Sequence, residues 1–294
     1  MASQEIAAPL AERSMKRSSM SPRTLFSSVM TGVSIVFTLM ALIPLFAILI
    51  YVFIQGASRL SLDLFTQLPP PPLVKGGGFG NAIVGTLLMV GIASALSIPF
   101  GVAAAIFLSE FARDTKLANA VDFFTNVLSG VPSIVIGVFA YAIVVLKTGT
   151  FSAFAGGVAL SVLMLPTIVR TAAEALEAVP RDYRQASVGL GATQFQTVVR
   201  IVLPAAIPAI VTGVMLAIAR AAGETAPLIF TALFNQYWAR GVWEPTASLA
   251  VLVFNFAIVP YKNQQELAWA GSLVLVAMVL LTSILARWVT KKRK

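Results

Sequence analysis

The 294 residues read as an all-α, polytopic integral membrane protein that crosses the bilayer about six times. Three features point there. Hydrophobic residues make up 58% of the chain and charged residues 11%, and mean hydropathy is positive, outside the range of ordinary soluble domains. Several apolar runs exceed the ~20 residues that a helix needs to cross a hydrocarbon layer about 30 Å thick. The basic residues gather beside those runs, so the net charge of +9 reads as membrane orientation and contact with lipid rather than as a nucleic-acid surface. Cysteine and histidine are both absent, which excludes disulfides and thiolate metal sites and removes the commonest metal ligand and general base. No nucleophile–base pair is legible, so the chain is poorly equipped for catalysis.

Residues 1 to about 23 are polar and basic, with Arg13, Lys16, Arg17 and Arg23. The run from Met30 to Ile54 is too long for a signal-peptide core and lacks a small-residue cleavage site, so it is expected as an uncleaved first span with Pro44 as a tolerated kink. Pro69–Pro72 then predict a stiff extended spacer, and Gly76–Gly78 a hinge. The glycines of Gly76-Gly77-Gly78-Phe79-Gly80 lack the Lys-Ser/Thr pair and the strand context of a phosphate loop. A second helix is expected over about Phe79 to Leu108, rich in the small residues that let helices approach closely in lipid. Glu110, Arg113, Asp114 and Lys116 form a charged turn.

The third apolar region, about Leu117 to Leu146, is interrupted by Ser129-Gly-Val-Pro-Ser133, where a break is either a packing kink or the lining of a path. A fourth helix follows over about Phe154 to Ala175, a fifth over Ala205 to Leu233 and a sixth over Leu267 to Val289. Trp238, Trp243 and Tyr261 lie between the last two and suit headgroup-level anchoring better than ligand binding. Leu249 to Val259 is too short to span and is expected as a re-entrant or interfacial piece.

Six spans leave both termini on one side. The tail, the charged turn, the loop from Glu174 to Val202 and the C-terminus together hold fourteen Lys and Arg, whereas the opposite side holds five: Arg59, Lys75, Lys147, Arg240 and Lys262. That bias makes the termini and the polar loop cytoplasmic.

Two charges remain inside the fifth apolar run, Arg220 and Glu224, ahead of Thr225. At 1.5 Å per residue Arg220 lies roughly 24 Å beyond Pro204, deep in the bilayer. A charge at that depth costs about 2.5–3.5 kcal/mol or more, so it must face protein or water. The four-residue spacing puts both side chains on one helical face. They are either a neutral packing pair or part of a path, and a guanidinium there would match a tetrahedral oxyanion bidentately. Arg170 and Glu174 repeat the spacing near the end of the fourth helix, as a solvated or snorkelling pair or as part of a vestibule.

The polar loop reads Tyr183-Arg184-Gln185-Ala186-Ser187-Val-Gly-Leu-Gly191-Ala192, with Leu203-Pro204 beyond it. This spacing resembles the EAA loop of the permease subunits of ABC importers. Val131-Pro-Ser-Ile-Val-Ile-Gly, Leu165-Pro-Thr-Ile-Val-Arg170, the Arg220-Ala-Ala-Gly-Glu224-Thr225-Ala-Pro run and Asn235-Gln-Tyr-Trp238 resemble more narrowly the phosphate-specific branch of that family. Gln185 stands where the pattern usually has Glu, and Ser187 where it has a second Ala. The resemblance covers about residues 80–285 and implies the type I, MetI-like permease fold. It implies a transmembrane domain over 76–290, after a tail (1–29) and a first span with its linker (30–75), and before a basic tail (291–294). Within it the loop at 179–204 would seat a coupling helix on an ATPase. The implied partners are a homologous second permease, two ATPase subunits carrying ATP and Mg, and an extracytoplasmic phosphate-binding protein; no cofactor is expected on this chain. Importers of sulfate, molybdate or tungstate remain open, as does a solitary channel or secondary carrier.

Overall fold

A computed structural model of the chain describes residues 22–112 and 115–291, with the side chains of 286, 287 and 289–291 left aside. Arg13, Lys16, Arg17, Arg113, Asp114, Lys292, Arg293 and Lys294 lie outside the described residues. Among the described residues the structure is helical, without strands.

The chain divides into two compact units, residues 1–51 and 52–294. The described part of the first is helix α1 (Pro22–Ala57), whose last turns enter the second unit. It is already helical at Pro22, the first described residue, which is earlier than the apolar run implied. Pro44 is carried inside it.

In the second unit a short helix α2 (Asp63–Thr66) precedes α3 (Gly80–Ile106), which ends in a π-helical turn over Phe107–Phe111. The linker between α2 and α3 corrects the expected spacer and hinge. Pro69 and Pro70 are buried, and the amides of Gly78, Phe79 and Gly80 donate to the carbonyls of Leu68 (3.0 Å), Leu64 (2.9 Å) and Gln67 (3.2 Å). Gly77 adopts φ +71°, with its α-carbon against Pro70. At Gly77 and Gly78 the chain folds back on itself and leaves no room for a Cβ, whereas Gly76 has open space and is required by its φ of +95°; the loop is packed, not hinged.

The third apolar region is two helices, α4 (Lys116–Gly130) and α5 (Ser133–Ala140), bent by 106°. Pro132 forces the residue before it out of helical space, and Val131 is extended at φ −72°, ψ 129°. Thr115 caps α4 by accepting from the Ala118 amide at 3.2 Å. After α5 a π-helical turn (Tyr141–Val145) leads to α6 (Leu146–Thr148) and then to α7 (Ala153–Glu177), capped by Ser152.

The polar loop contains α8 (Arg181–Gly189) and α9 (Gln194–Thr197), then a π-helical turn (Val198–Val202) into α10 (Leu203–Ala222). Leu203 and Pro204 therefore open α10 rather than close the loop. The expected fifth helix is broken. α10 stops at Ala222, and α11 (Ala226–Thr231) begins after Gly223–Thr225. Pro227 cannot share a continuous helix with the carbonyl of Gly223, and glycine is the poorest non-proline helix former. Ser248 caps α12 (Leu249–Ala257), the short apolar piece anticipated, and α13 (Lys262–Lys291) ends the described chain.

Among the described residues five helices are long and apolar enough to span, and the bent pair that begins with α4 and α5 supplies a sixth, which makes this a multi-pass membrane protein. The main core lies where α3, α7 and α10 meet, around Met89, Leu160, Met164, Ile168, Leu176, Val202 and Ile210. Small residues bring these helices together: a Cβ on Gly157 would lie 2.5 Å from Ile92, and one on Gly101 would lie 2.7 Å from Ile168. A second core joins α2, the start of α3, α12 and α13 through Leu64, Phe79, Leu249, Leu252 and Leu267. Asn263 ties α13 to the linker through the Val74 carbonyl at 2.8 Å. Trp243 stacks on Phe154 with centroids 4.6 Å apart, and the Trp238 ring lies over Gly80, so both tryptophans pack on their own chain while staying partly exposed.

Candidate functional site

The break between α10 and α11 carries the charged residues singled out in the sequence. Arg220 is in the last turn of α10, whereas Glu224 lies beyond its end, so the two do not share a helical face as expected. They still meet: Arg220 Nε is 3.7 Å from Glu224 Oε1, with the arginine side chain 64% exposed and the glutamate 17%. At that separation the attraction is coulombic and no guanidinium donor is consumed. Thr225, half-buried, opens α11 through its carbonyl, which accepts from Leu228 at 3.1 Å. The break is held from behind, since a Cβ on Gly137 of α5 would come within 2.6 Å of Pro227 Cα. Two interrupted apolar regions thus touch at one point, the arrangement that leaves irregular backbone buried in protein.

A cavity of about 540 Å³ opens between α7, α10 and α13, with Glu174, Thr171, Thr212 and Ser283 among apolar walls. On α10 it runs along Ala209, Gly213 and Leu216, a face that continues at helical spacing to Arg220, about 16 Å from Ala209. Among the described side chains Glu174 is its one lining charge. Arg170 goes elsewhere. Its Nη2 donates to Asn126 Oδ1 of α4, so the expected Arg170–Glu174 pair does not form. α4 packs beside α7, with Ala118 and Val169 in one cluster, and so brings that acceptor to Arg170.

The polar loop has two faces. Tyr183, Gln185, Ala186, Val188 and Leu190 are exposed, Leu190 at 89%. Ser187 is buried, its hydroxyl 2.9 Å from that of Thr197. Gly191 at φ +84° and the amide of Ala192, which donates to Ser187 O at 3.2 Å, close α8 in a Schellman turn. Arg184 is turned inward. It forms a two-pronged ion pair with Glu110, Nη2–Oε1 2.6 Å and Nε–Oε2 3.3 Å. The same guanidinium donates to the carbonyls of Val179 (2.6 Å) and Leu176 (2.8 Å). Sequence reasoning placed Glu110 only in a charged turn and missed both this role and that of Asn126. The partners lie 74 and 44 residues apart, and no local spacing announces them.

A model of the family described as "Binding-protein-dependent transport system inner membrane component" matches residues 97–294. The phosphate transport system permease protein PstA of Yersinia pestis is 44% identical over 240 residues, 82% of this chain and 81% of that protein. Its namesake from Haemophilus influenzae is 39% identical over 272 residues, 92% of this chain and 96% of that protein. Among solved structures, a bacterial alginate ABC transporter in complex with its pentasaccharide-bound periplasmic protein aligns at a TM-score of 0.65 and 14% identity, over 93% of this chain and 99% of that one. The MetNI methionine ABC transporter, inward facing, aligns at a TM-score of 0.59 and 20% identity, over 72% and 94%. At those identities the likeness carries the fold.

The class so defined is a multi-pass permease with the MetI-like fold of ABC importer membrane subunits, a transport component and not an enzyme. The chain belongs to the family of binding-protein-dependent transport system inner membrane components.

Proposed function

We propose that this chain is the permease subunit of an ATP-driven importer that moves inorganic phosphate into the cell. The observation that carries the reading is identity of 39–44% over most of the chain to proteins named as phosphate transport permeases. The Arg220 guanidinium, exposed and with its donors idle, is the group a phosphate passing the α10–α11 break would meet. Glu224 compensates that charge while the path is empty, and Thr225 adds a hydroxyl beside it. The cavity lined by Glu174 leads along α10 toward Arg220, and Arg170 with Asn126 borders the path from α4.

The exposed face of α8, from Tyr183 through Gln185 and Ala186 to the turn at Gly191 and Ala192, is the ATPase-facing surface. The partners are a homologous second permease, two ATPase subunits that hold ATP and Mg, and an extracytoplasmic phosphate-binding protein. With α4–α5 counted as one broken span, both termini and the loop at 179–204 are cytoplasmic, in keeping with the fourteen-to-five basic bias.

The test is uptake of labelled phosphate, sulfate and molybdate by proteoliposomes holding the complete transporter, with and without ATP. ATP-dependent phosphate uptake is expected. Preferred sulfate or molybdate uptake would reassign the substrate, and uptake without the ATPase would make the chain a solitary carrier.

A further inference from the structure

Three helices converge on one side chain of the polar loop. Glu110 sits on the π-helical turn that ends α3, its side chain 8% exposed, and so requires a cationic partner. Arg184 of α8 answers it with two charge-assisted bonds. The remaining nitrogen of that guanidinium, together with a second bond from Nη2, holds the carbonyls of Val179 and Leu176 at the end of α7, where helix geometry supplies fewer amide donors. Gln194 of α9 reinforces the joint by donating to the Glu110 backbone carbonyl. The Ser187–Thr197 contact closes α8 onto α9, whose last residue precedes the turn that enters α10. Elsewhere on α8 and at its end, Tyr183, Val188 and Leu190 stay exposed.

We infer that Arg184 is a positioning residue that makes α8 one rigid body with the adjoining ends of α3 and α7, so that displacement of α8 reaches both helices together. The inference rests on reading α8 as the ATPase-facing segment. A helix attached only by its flexible ends would swing under load and dissipate the motion. One held through a guanidinium that uses four of its five N–H donors on three partner residues passes it on. Neither Arg184 nor Glu110 touches substrate or nucleotide in this role; they act through the helices they join.

The readout is phosphate transported per ATP hydrolysed by the complete transporter in proteoliposomes, beside the amount of ATPase subunit that copurifies. A purely structural role lowers uptake and hydrolysis together and leaves the ratio alone. For Arg184→Met the ratio is expected to fall about tenfold, the size of effect that a coupling residue carries. Arg184→Lys, which keeps charge but loses the fork, and Glu110→Gln, which keeps shape but loses charge, are each expected to lower it about threefold. The double variant Glu110→Gln/Arg184→Met is expected to be no worse than Arg184→Met, because one joint is broken either way. Copurifying ATPase should stay within about twofold of wild type in the two mild variants. An unchanged ratio, fully additive losses, or failure of the mild variants to assemble would each overturn the inference. Wild-type liposomes without ATP-dependent phosphate uptake would instead remove the broader reading on which it stands.

Discussion

Arg184 and Arg220 present the same guanidinium in opposite settings. Arg184 is 23% exposed and spends its nitrogens on a carboxylate and two helix-end carbonyls. Arg220 is 64% exposed, and its paired carboxylate is 3.7 Å away, too far for a hydrogen bond. Their settings differ, one on the polar loop and one at the end of an apolar helix, but setting alone does not decide how free each guanidinium is. What separates them is how many donors are already used. An arginine with most of its donors engaged, as Arg184 has four of five, fixes elements in place, whereas one with donors idle keeps them for a ligand or for water.

The largest effect expected from that contrast is on transport. Arg220→Ala should lower phosphate uptake about a hundredfold, the loss of a charge-assisted, two-pronged contact with an oxyanion. Arg220→Lys should cost about tenfold, because the charge remains without the fork. Melting of the assembled transporter should stay within about 0.5 kcal/mol of wild type, since the Arg220 side chain is exposed and its one ion pair, to Glu224 at 3.7 Å, is loose. Uptake by the alanine variant within twofold of wild type would break the comparison at its open end.

At the tied end the pattern reverses toward stability. Arg184→Ala strands the Glu110 carboxylate, 8% exposed, in the joint between α3 and α7. Breaking a buried pair in this way costs 3–5 kcal/mol when both partners are enclosed, and the partial solvation of Arg184 brings the expectation to about 2–3 kcal/mol. Denaturant or thermal unfolding of the purified complex measures it. A loss below 1 kcal/mol would mean that solvent already shares the ion pair and that the two arginines differ less than their geometry indicates.

How much of this was legible beforehand depended on whether the governing signal is local. The spans were, because a run of about twenty apolar residues is a local property, and α3 and α7 begin and end within a few residues of their expected limits. The break at Pro132 was legible for the same reason, since proline acts on the residue beside it. The break before α11 carried equal notice in Gly223 and Pro227, but the apolar run on both sides outweighed it. Non-local matters were hidden. Nothing near Glu110 announces Arg184, and nothing near Arg170 announces Asn126. The linker glycines could not be told from a hinge, because the same flexibility serves a tight fold-back once Pro69 and Pro70 are buried. Ser187, a departure from the loop pattern, has a physical reason visible only in three dimensions, its buried contact with Thr197.

A smaller effect tests the scaffold beneath the open arginine. A Cβ on Gly213 would lie 2.2 Å from Thr171 Oγ1 and 2.5 Å from Thr171 Cβ, so Gly213→Ala must push α7 and α10 apart on the wall of the cavity. Overpacking of this kind costs about 1–3 kcal/mol. Uptake should fall with it, by less than in Arg220→Ala, because the guanidinium is displaced rather than removed. A variant that melts normally yet transports poorly would show the cavity wall acting on the path directly.

The smallest expected effect returns to the tied end, at Gly191. Its φ of +84° is a left-handed conformation that an L side chain resists. A built Cβ meets nothing within 4 Å, so the cost of Gly191→Ala is backbone alone, about 1 kcal/mol. Gly189, inside α8 and equally free of neighbours, is the matched control. There alanine should stabilise by a few tenths of a kcal/mol, because it favours helix and φ is already negative. If α8 is held chiefly by the Arg184 joint, neither substitution should change uptake more than about twofold, since the turn sets only how the chain leaves the helix. If Gly191→Ala instead abolished uptake while stability fell by the expected 1 kcal/mol, the path of the chain after α8 would matter more than the ion pair behind it. The contrast between the two arginines would then have to be redrawn around the turn.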